Sequence, residues 1–148
     1  MKLSDIYYHP WCPRFFFKKF DGGKDSGVSG YMLIEWKKVF SIGLLHFKKG
    51  SREAYHSHAF CALTWFLKGT VTEEKYNGPN KDFGPSIIPK FTPRTNLHRV
   101  ISHSDTWALT FRGPWEDYWI EYRPEQNEAW VYLTHGRKEV ETSTINLD

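Results

Sequence analysis

Short apolar runs broken by Gly, Pro, Asn and Asp dominate the chain, and helical periodicity is weak almost everywhere. Tyr31–Trp36 and Val39–Phe47 alternate as strands do. Ala54–Leu67 reads as one long strand or a bent pair that ends at Lys68-Gly69, with Thr70–Tyr76 following almost at once. Asn77-Gly78-Pro79-Asn80 is a strong turn signal. Ser86–Ile88 reads as a short strand before the Pro-punctuated stretch Pro89 to Pro93. Leu97–Ser102, Thr106–Phe111, Tyr118–Tyr122 and Ala129–Leu133 complete the set, with His103-Ser104-Asp105 as a turn. About eight or nine short strands with regular turn signals predict a sandwich or barrel. Phe15 to Gly30, which carries Asp21-Gly22-Gly23 and Asp25-Ser26-Gly27, reads as loop, and the polar tail after Gly136 as frayed.

Composition narrows the class. The 148 residues are 40% hydrophobic and 25% charged, a globular balance that suits one domain. We divide it into a core of about 31–133, an N-terminal extension 1–30 and a C-terminal tail 134–148. A net charge of +3 falls far short of the dense basic stripe of a nucleic-acid binder. No apolar run is long enough for a membrane helix. Met1 to Pro13 lacks the charged and apolar regions of a secretory signal, so a cytoplasmic location is expected. Two cysteines, Cys12 and Cys61, exclude a disulfide framework and a CxxC zinc site. Aromatics reach 18%, which suits a ring-rich β core and an aromatic face for association. A homodimer is expected on that ground, with no nucleic-acid or membrane partner.

The histidines carry most of the chemistry. His56 and His58 stand two apart in a strand-like run, so strand alternation turns both to one side. Phe60, Ala62, Thr64 and Phe66 share that side. Imidazoles facing an apolar interior need partners, since each unpaired buried polar group costs about 1–3 kcal/mol. A metal ion serves both at once. His98, about 40 residues on, is the first candidate for a third ligand. His46 is the second choice. His103 lies in a turn, and His9 and His135 lie near the ends.

The spacing adds a resemblance. Five residues stand between Gly50 and His56, and ten between His58 and Gly69. That run resembles the first motif of the cupins, and Pro93-Arg94-Thr95-Asn96-Leu97-His98 resembles the second. The stretch Leu67-Lys68-Gly69-Thr70-Val71-Thr72-Glu73, His98-Arg99-Val100 and Phe111-Arg112-Gly113-Pro114-Trp115 are similar to small single-domain cupins of phage and bacterial genomes, mostly of unassigned activity. The resemblance covers about Leu44 to Gly113. It implies an all-β fold with little helix, a double-stranded β-helix or jelly-roll barrel, with His56, His58 and His98 at the metal positions. The sequence also departs from the pattern. The motif's glutamate falls at Ala62 or Leu63, neither of which can ligate, its second glycine is Thr95, and its late asparagine is Ser102. The remaining three-histidine face resembles that of cysteine-type thiol dioxygenases, in which three histidines hold iron.

That resemblance implies a divalent transition metal, iron first and zinc, nickel or manganese as alternatives, and an oxygenase acting on a small molecule. The alternatives are a non-enzymatic ligand-binding cupin and a structural or interaction cupin with a vestigial site. A metal without an anionic ligand keeps its full charge and attracts an anionic or chelating substrate. Glu73 or Glu74 could replace the missing carboxylate, although a solvated strand edge is the simpler expectation for both. Arg112, after the Thr106–Phe111 strand, could anchor a substrate carboxylate; an exposed strand-end charge is the commoner case. Arg99 has the opposite parity to His98 and belongs to a surface. Cys61 reads as a buried apolar thiol. Neither a phosphate-binding Gly-rich loop nor a GxSxG elbow is present.

Overall fold

The computed structural model describes residues 9–22, 26–51, 54–123, 129–135 and 138–143. Its elements are all strands: β1 Arg14–Phe20, β2 Val28–Trp36, β3 Phe40–Phe47, β4 Ala62–Lys68, β5 Val71–Lys75, β6 Lys81–Phe83, β7 Lys90–Thr92, β8 His98–Ser102, β9 Thr106–Arg112, β10 Trp119–Arg123, β11 Ala129–Thr134 and β12 Lys138–Ser143. Every strand pair is antiparallel. One sheet has six strands in the order β1-β2-β3-β9-β4-β7, and two further sheets run β6-β5-β8 and β10-β11-β12. His56 stitches these smaller sheets together, because it bridges His98 on β8 and Glu121 on β10. The result is an all-β barrel of two layers. No described helix is long and apolar enough to cross a membrane.

Alternation sets the interior. Val28, Leu45, Phe47, Phe66 and Ala108 of the large sheet pack with Val71 and with Phe83 and Val100 of the facing sheet. A second cluster, Ala59, Phe60 and Ala62 with Trp115 and Trp119, closes the other end. Ring burial of this kind is worth a few kcal/mol per side chain, so Phe66→Ala costs about 3–5 kcal/mol. Gly50 and Gly69 both have positive φ, at 80° and 87°. At Gly69, between β4 and β5, an added Cβ would lie 2.4 Å from Thr106 Oγ1. A side chain there fails on both backbone and space.

Several sequence expectations change. Phe15 to Gly30 is not all loop: β1 takes its first part, to Phe20, and pairs along β2, which begins at Val28. Its Phe-rich run is β-prone, and the neighbouring Asp-Gly steps mark only the turn that follows. Part of the region read as frayed tail forms β12 beside β11. Residues 1–8 and 23–25 of the N-terminal extension and 136–137 and 144–148 of the tail lie outside the described residues. Ser86–Ile88 is not a strand; Ile87 and Ile88 are 94% and 76% exposed. The pairing strand is β7 instead, inside the stretch between Pro89 and Pro93. Pro89 ends the preceding run, and the three residues between the prolines keep their amides for β4.

Candidate metal centre

The chain between Ala54 and Cys61 crosses from the smaller sheets to β4, so the His-x-His pair lies outside a regular strand. Local backbone bonds still fix it. His56 N–H donates to His98 O at 2.9 Å, and His98 N–H returns a bond to His56 O at 3.1 Å. Ser57 N–H donates to Ile120 O at 2.9 Å and His58 N–H to Arg94 O at 3.2 Å. Three chain segments therefore hold the pair, and the extended backbone keeps both rings on one side, as the two-residue spacing requires.

His56, His58 and His98 come together, with one ring nitrogen of each within 4.8 Å of the others. Ring centroids are 4.7 Å apart for His56 and His58, 5.2 Å for His56 and His98, and 4.9 Å for His58 and His98. His46 lies elsewhere, its ring 4.6 Å from that of Trp107. His103 is exposed and bonds Thr72. His135 packs on Trp115, and His9 bonds the Trp11 amide.

Glu73 is the residue that sequence reasoning undervalued. It is 3% exposed rather than a solvated edge. Its Oε2 accepts from His98 Nδ1 at 2.5 Å and from Lys90 Nζ at 2.7 Å. Alternation along β5 turned Glu73 inward and Glu74 outward to Arg99 and Tyr55. The signal lay in that parity, together with His98 on the paired strand. Burial raises the Glu73 pKa, but the bonds from His98 and Lys90 outweigh it and bring the pKa to about 2. Glu73 thus stays ionised.

These partners fix tautomers. His98 gives its Nδ1 proton to Glu73, so its Nε2 keeps a lone pair. His56 Nδ1 donates to Ala54 O at 2.6 Å, which makes Nε2 the nitrogen with the lone pair in the same way. His98 Nε2 and His58 Nε2 are 2.8 Å apart. Two nitrogens bound to one ion at about 2.0–2.1 Å, at a right angle, stand about 2.9 Å apart. A hydrogen bond between His58 and His98 spans the same gap in the absence of an ion. Burial lowers the His58 pKa well below the ordinary value, and the neighbouring His56 and His98 add to this. Burial also lowers His98, to about 4, against the opposing pull of Glu73. Both rings are neutral near pH 7, the form in which imidazole ligates.

A cavity of about 390 Å³ adjoins the cluster, with His56, His58, Phe60, Trp115 and Trp119 in its wall. Arg112 faces the interior at 3% exposure, so it is not a solvated strand end. Its Nη1 and Nη2 donate to the two Asp21 oxygens at 3.1 and 2.7 Å. Burial raises Asp21, yet Arg112 and Lys19 overcome this and hold it at about 2. The guanidinium that could anchor a substrate is therefore already paired. Cys61 is exposed, contrary to its expected burial, because the chain turns at the edge just before β4 begins.

The barrel can be compared with solved structures. An RmlC-like cupin from Shewanella frigidimarina superposes with a TM-score of 0.53 over 64% of this chain and 81% of its own, at 18% identity. The fold is the cupin fold. KdgF from a Halomonas species gives a TM-score of 0.54 at 14% identity, covering 70% of this chain and 96% of its own. A structure described as a sugar phosphate isomerase of the cupin superfamily from Silicibacter pomeroyi gives 0.57 at 13% identity, covering 86% and 87%. No family model matches the sequence, and no curated protein matches it either. In this cupin barrel the three histidines form a cluster suited to a divalent metal.

Proposed function

We propose that this protein is a metal-dependent enzyme acting on a small molecule, with an oxygenase as the first reaction class. His56, His58 and His98 are the proposed ligands. The observation that carries the reading is the convergence of three imidazoles beside a 390 Å³ cavity, with ring protons committed to Ala54 O and Glu73. The set is nitrogen-only with no carboxylate ligand, which suits iron first and zinc, nickel or manganese next. A divalent ion held there would supply Lewis acidity and open coordination positions.

The chain's own residues do the rest. Glu73 orients His98 and increases the basicity of its free nitrogen. Lys90 holds Glu73 in place and balances its charge. Phe60, Trp115 and Trp119 form an apolar wall that limits water beside the cluster. Arg112 and Asp21 brace the barrel floor next to His58.

Elemental analysis of untagged protein tests the ligands. Alanine at His56, His58 or His98 leaves two imidazoles and should each lower metal occupancy sharply, whereas His103→Ala should not. Circular dichroism checks that each variant folds. Wild-type occupancy in folded His56→Ala or His98→Ala would reject the three-histidine site. Low occupancy in all five proteins would leave a vestigial site. Turnover separates an enzyme from a ligand-binding module.

A further inference from the structure

Lys37 stands in the turn between β2 and β3, next to Lys38, and the two lysines have opposite fates. Lys38 points outward and reaches Asp117 at 3.1 Å. Lys37 is only 7% exposed and lines the cavity beside the histidine cluster. Among the described residues its ammonium makes no hydrogen bond and no ion pair of its own. Its Nζ lies 4.9 Å from the Trp115 ring centroid. A buried lysine ordinarily finds a carboxylate or extends its head to water. Here the head is turned into a cavity.

The surrounding charges sharpen the point. Arg14, Lys19 and Lys37 share one corner of the cavity with Glu35, the carboxylate that acts on Lys37. Lys19 bonds Glu35, and Arg14 stands 3.8 Å from it. The other acids in the wall are engaged: Asp21 binds Arg112, and Glu121 lies 3.5 Å from Arg123. Across the cavity wall four cations, Arg14, Lys18, Lys19 and Lys37, face three carboxylates, Asp21, Glu35 and Glu121, so the wall is net positive. Trp115 and Trp119 stand in T-shaped contact beside it, with centroids 5.7 Å apart. The backbone N–H of Trp115 donates to Lys37 O at 2.6 Å, so the two backbones are held side by side.

We infer that this corner is an anion-recognition subsite and that Lys37 is its specificity residue, selecting a small ring-bearing carboxylate or phosphate monoester. The anionic group pairs with Lys37, supported by Lys19 and Arg14. The ring lies on the indole wall, and the rest of the molecule extends toward His56 and His58, which line the same cavity. The direction of the substrate rests on the metal-enzyme reading above; the anion subsite itself does not.

The test uses tryptophan fluorescence and calorimetry on metal-stripped protein, with metal content measured separately on reloaded samples. The probes are glucuronate, glucose 6-phosphate and glucose, with benzoate and benzyl alcohol as an aromatic pair. At least one anion should bind about tenfold more tightly than its neutral counterpart. Whether glucuronate or glucose 6-phosphate shows the gain tells carboxylate from phosphate. Lys37→Met should bring anion and neutral probe to about the same affinity, Lys37→Arg should keep the preference, and both should reload metal like wild type. Three outcomes overturn the inference: no anion binding below about 10 mM, equal binding of anions and neutral probes by wild type, or an undiminished preference in Lys37→Met. If His98→Ala lost metal while Lys37→Met kept its preference, this inference alone would fail. If the preference depended on Lys37 but no variant or wild type held metal, the metal reading alone would fail.

Discussion

Glu73 and His98 form a coupled pair at the residue scale, and their partnership has measurable consequences. Glu73→Gln keeps the shape but removes the charge that orients His98 and enriches its free nitrogen. Loss of such a supporting carboxylate typically lowers metal affinity about 10–100-fold, which a chelator competition would read. Affinity unchanged in Glu73→Gln would remove Glu73 from the site. Acid sensitivity follows from His98. Its pKa in the folded chain is about 4, below the 6.5 of an unfolded histidine. Between those values the unfolded state binds a proton that the folded state refuses, so stability falls as pH falls from 6.5 toward 4. The shift corresponds to about 3 kcal/mol in metal-free protein. Urea unfolding at several pH values should show the decline, and His98→Gln should reduce it, leaving the part that the depressed His58 contributes.

Among the elements, the β1–β2 turn and the end of β9 are tied by Asp21 and Arg112, far apart in sequence. Breaking one side of a mostly buried pair costs about 3 kcal/mol, so Arg112→Met should lower the unfolding midpoint in urea measurably. Asp21 adds an acid limit of its own. Its pKa is depressed to about 2, so its contribution is present above the ordinary value of 3.8 and is lost as pH falls toward 2. The sequence reveals the barrel elements that alternate cleanly, such as β2, β3 and β9, and the histidines with their order and spacing. It also reveals the inward parity of Phe60, Ala62 and Phe66. It hides β1 because Asp-Gly steps next to the Phe-rich run read as loop. It hides β7 because two prolines bracket three residues. Arg112 and Glu73 share one reason for being missed. A charged residue on a strand reads as solvent-facing until its partner is known, and both partners, Asp21 and His98, come from distant segments.

At the scale of the whole molecule, the outer face of the six-stranded sheet is apolar. Phe15, Ile34, Ile42, Phe111, Leu63 and Phe91 are successive cross-strand partners through all six strands. Tyr31, Leu44, Leu109 and Trp65 form a second row beside them. Phe15, Phe91 and Phe111 are 56%, 61% and 42% exposed. Six strands spaced about 4.8 Å apart make a face about 24 Å across, the scale of an ordinary dimer interface. A two-fold axis lays such a face on its own copy, and the expected homodimer is predicted to form there. Light scattering at micromolar concentration should give twice the 17.5 kDa chain mass. Phe111→Lys with Phe91→Lys should shift the protein to monomer. A monomeric wild type would contradict the prediction.

The central claim is that one divalent ion is held by three imidazoles, and X-ray absorption at the metal edge of the reloaded protein tests it most directly. Outer-shell scattering from three imidazole rings at one ion per chain is the result expected, falling to two rings or to no bound ion in His98→Ala. A loaded wild type whose ion shows one imidazole or none would contradict it.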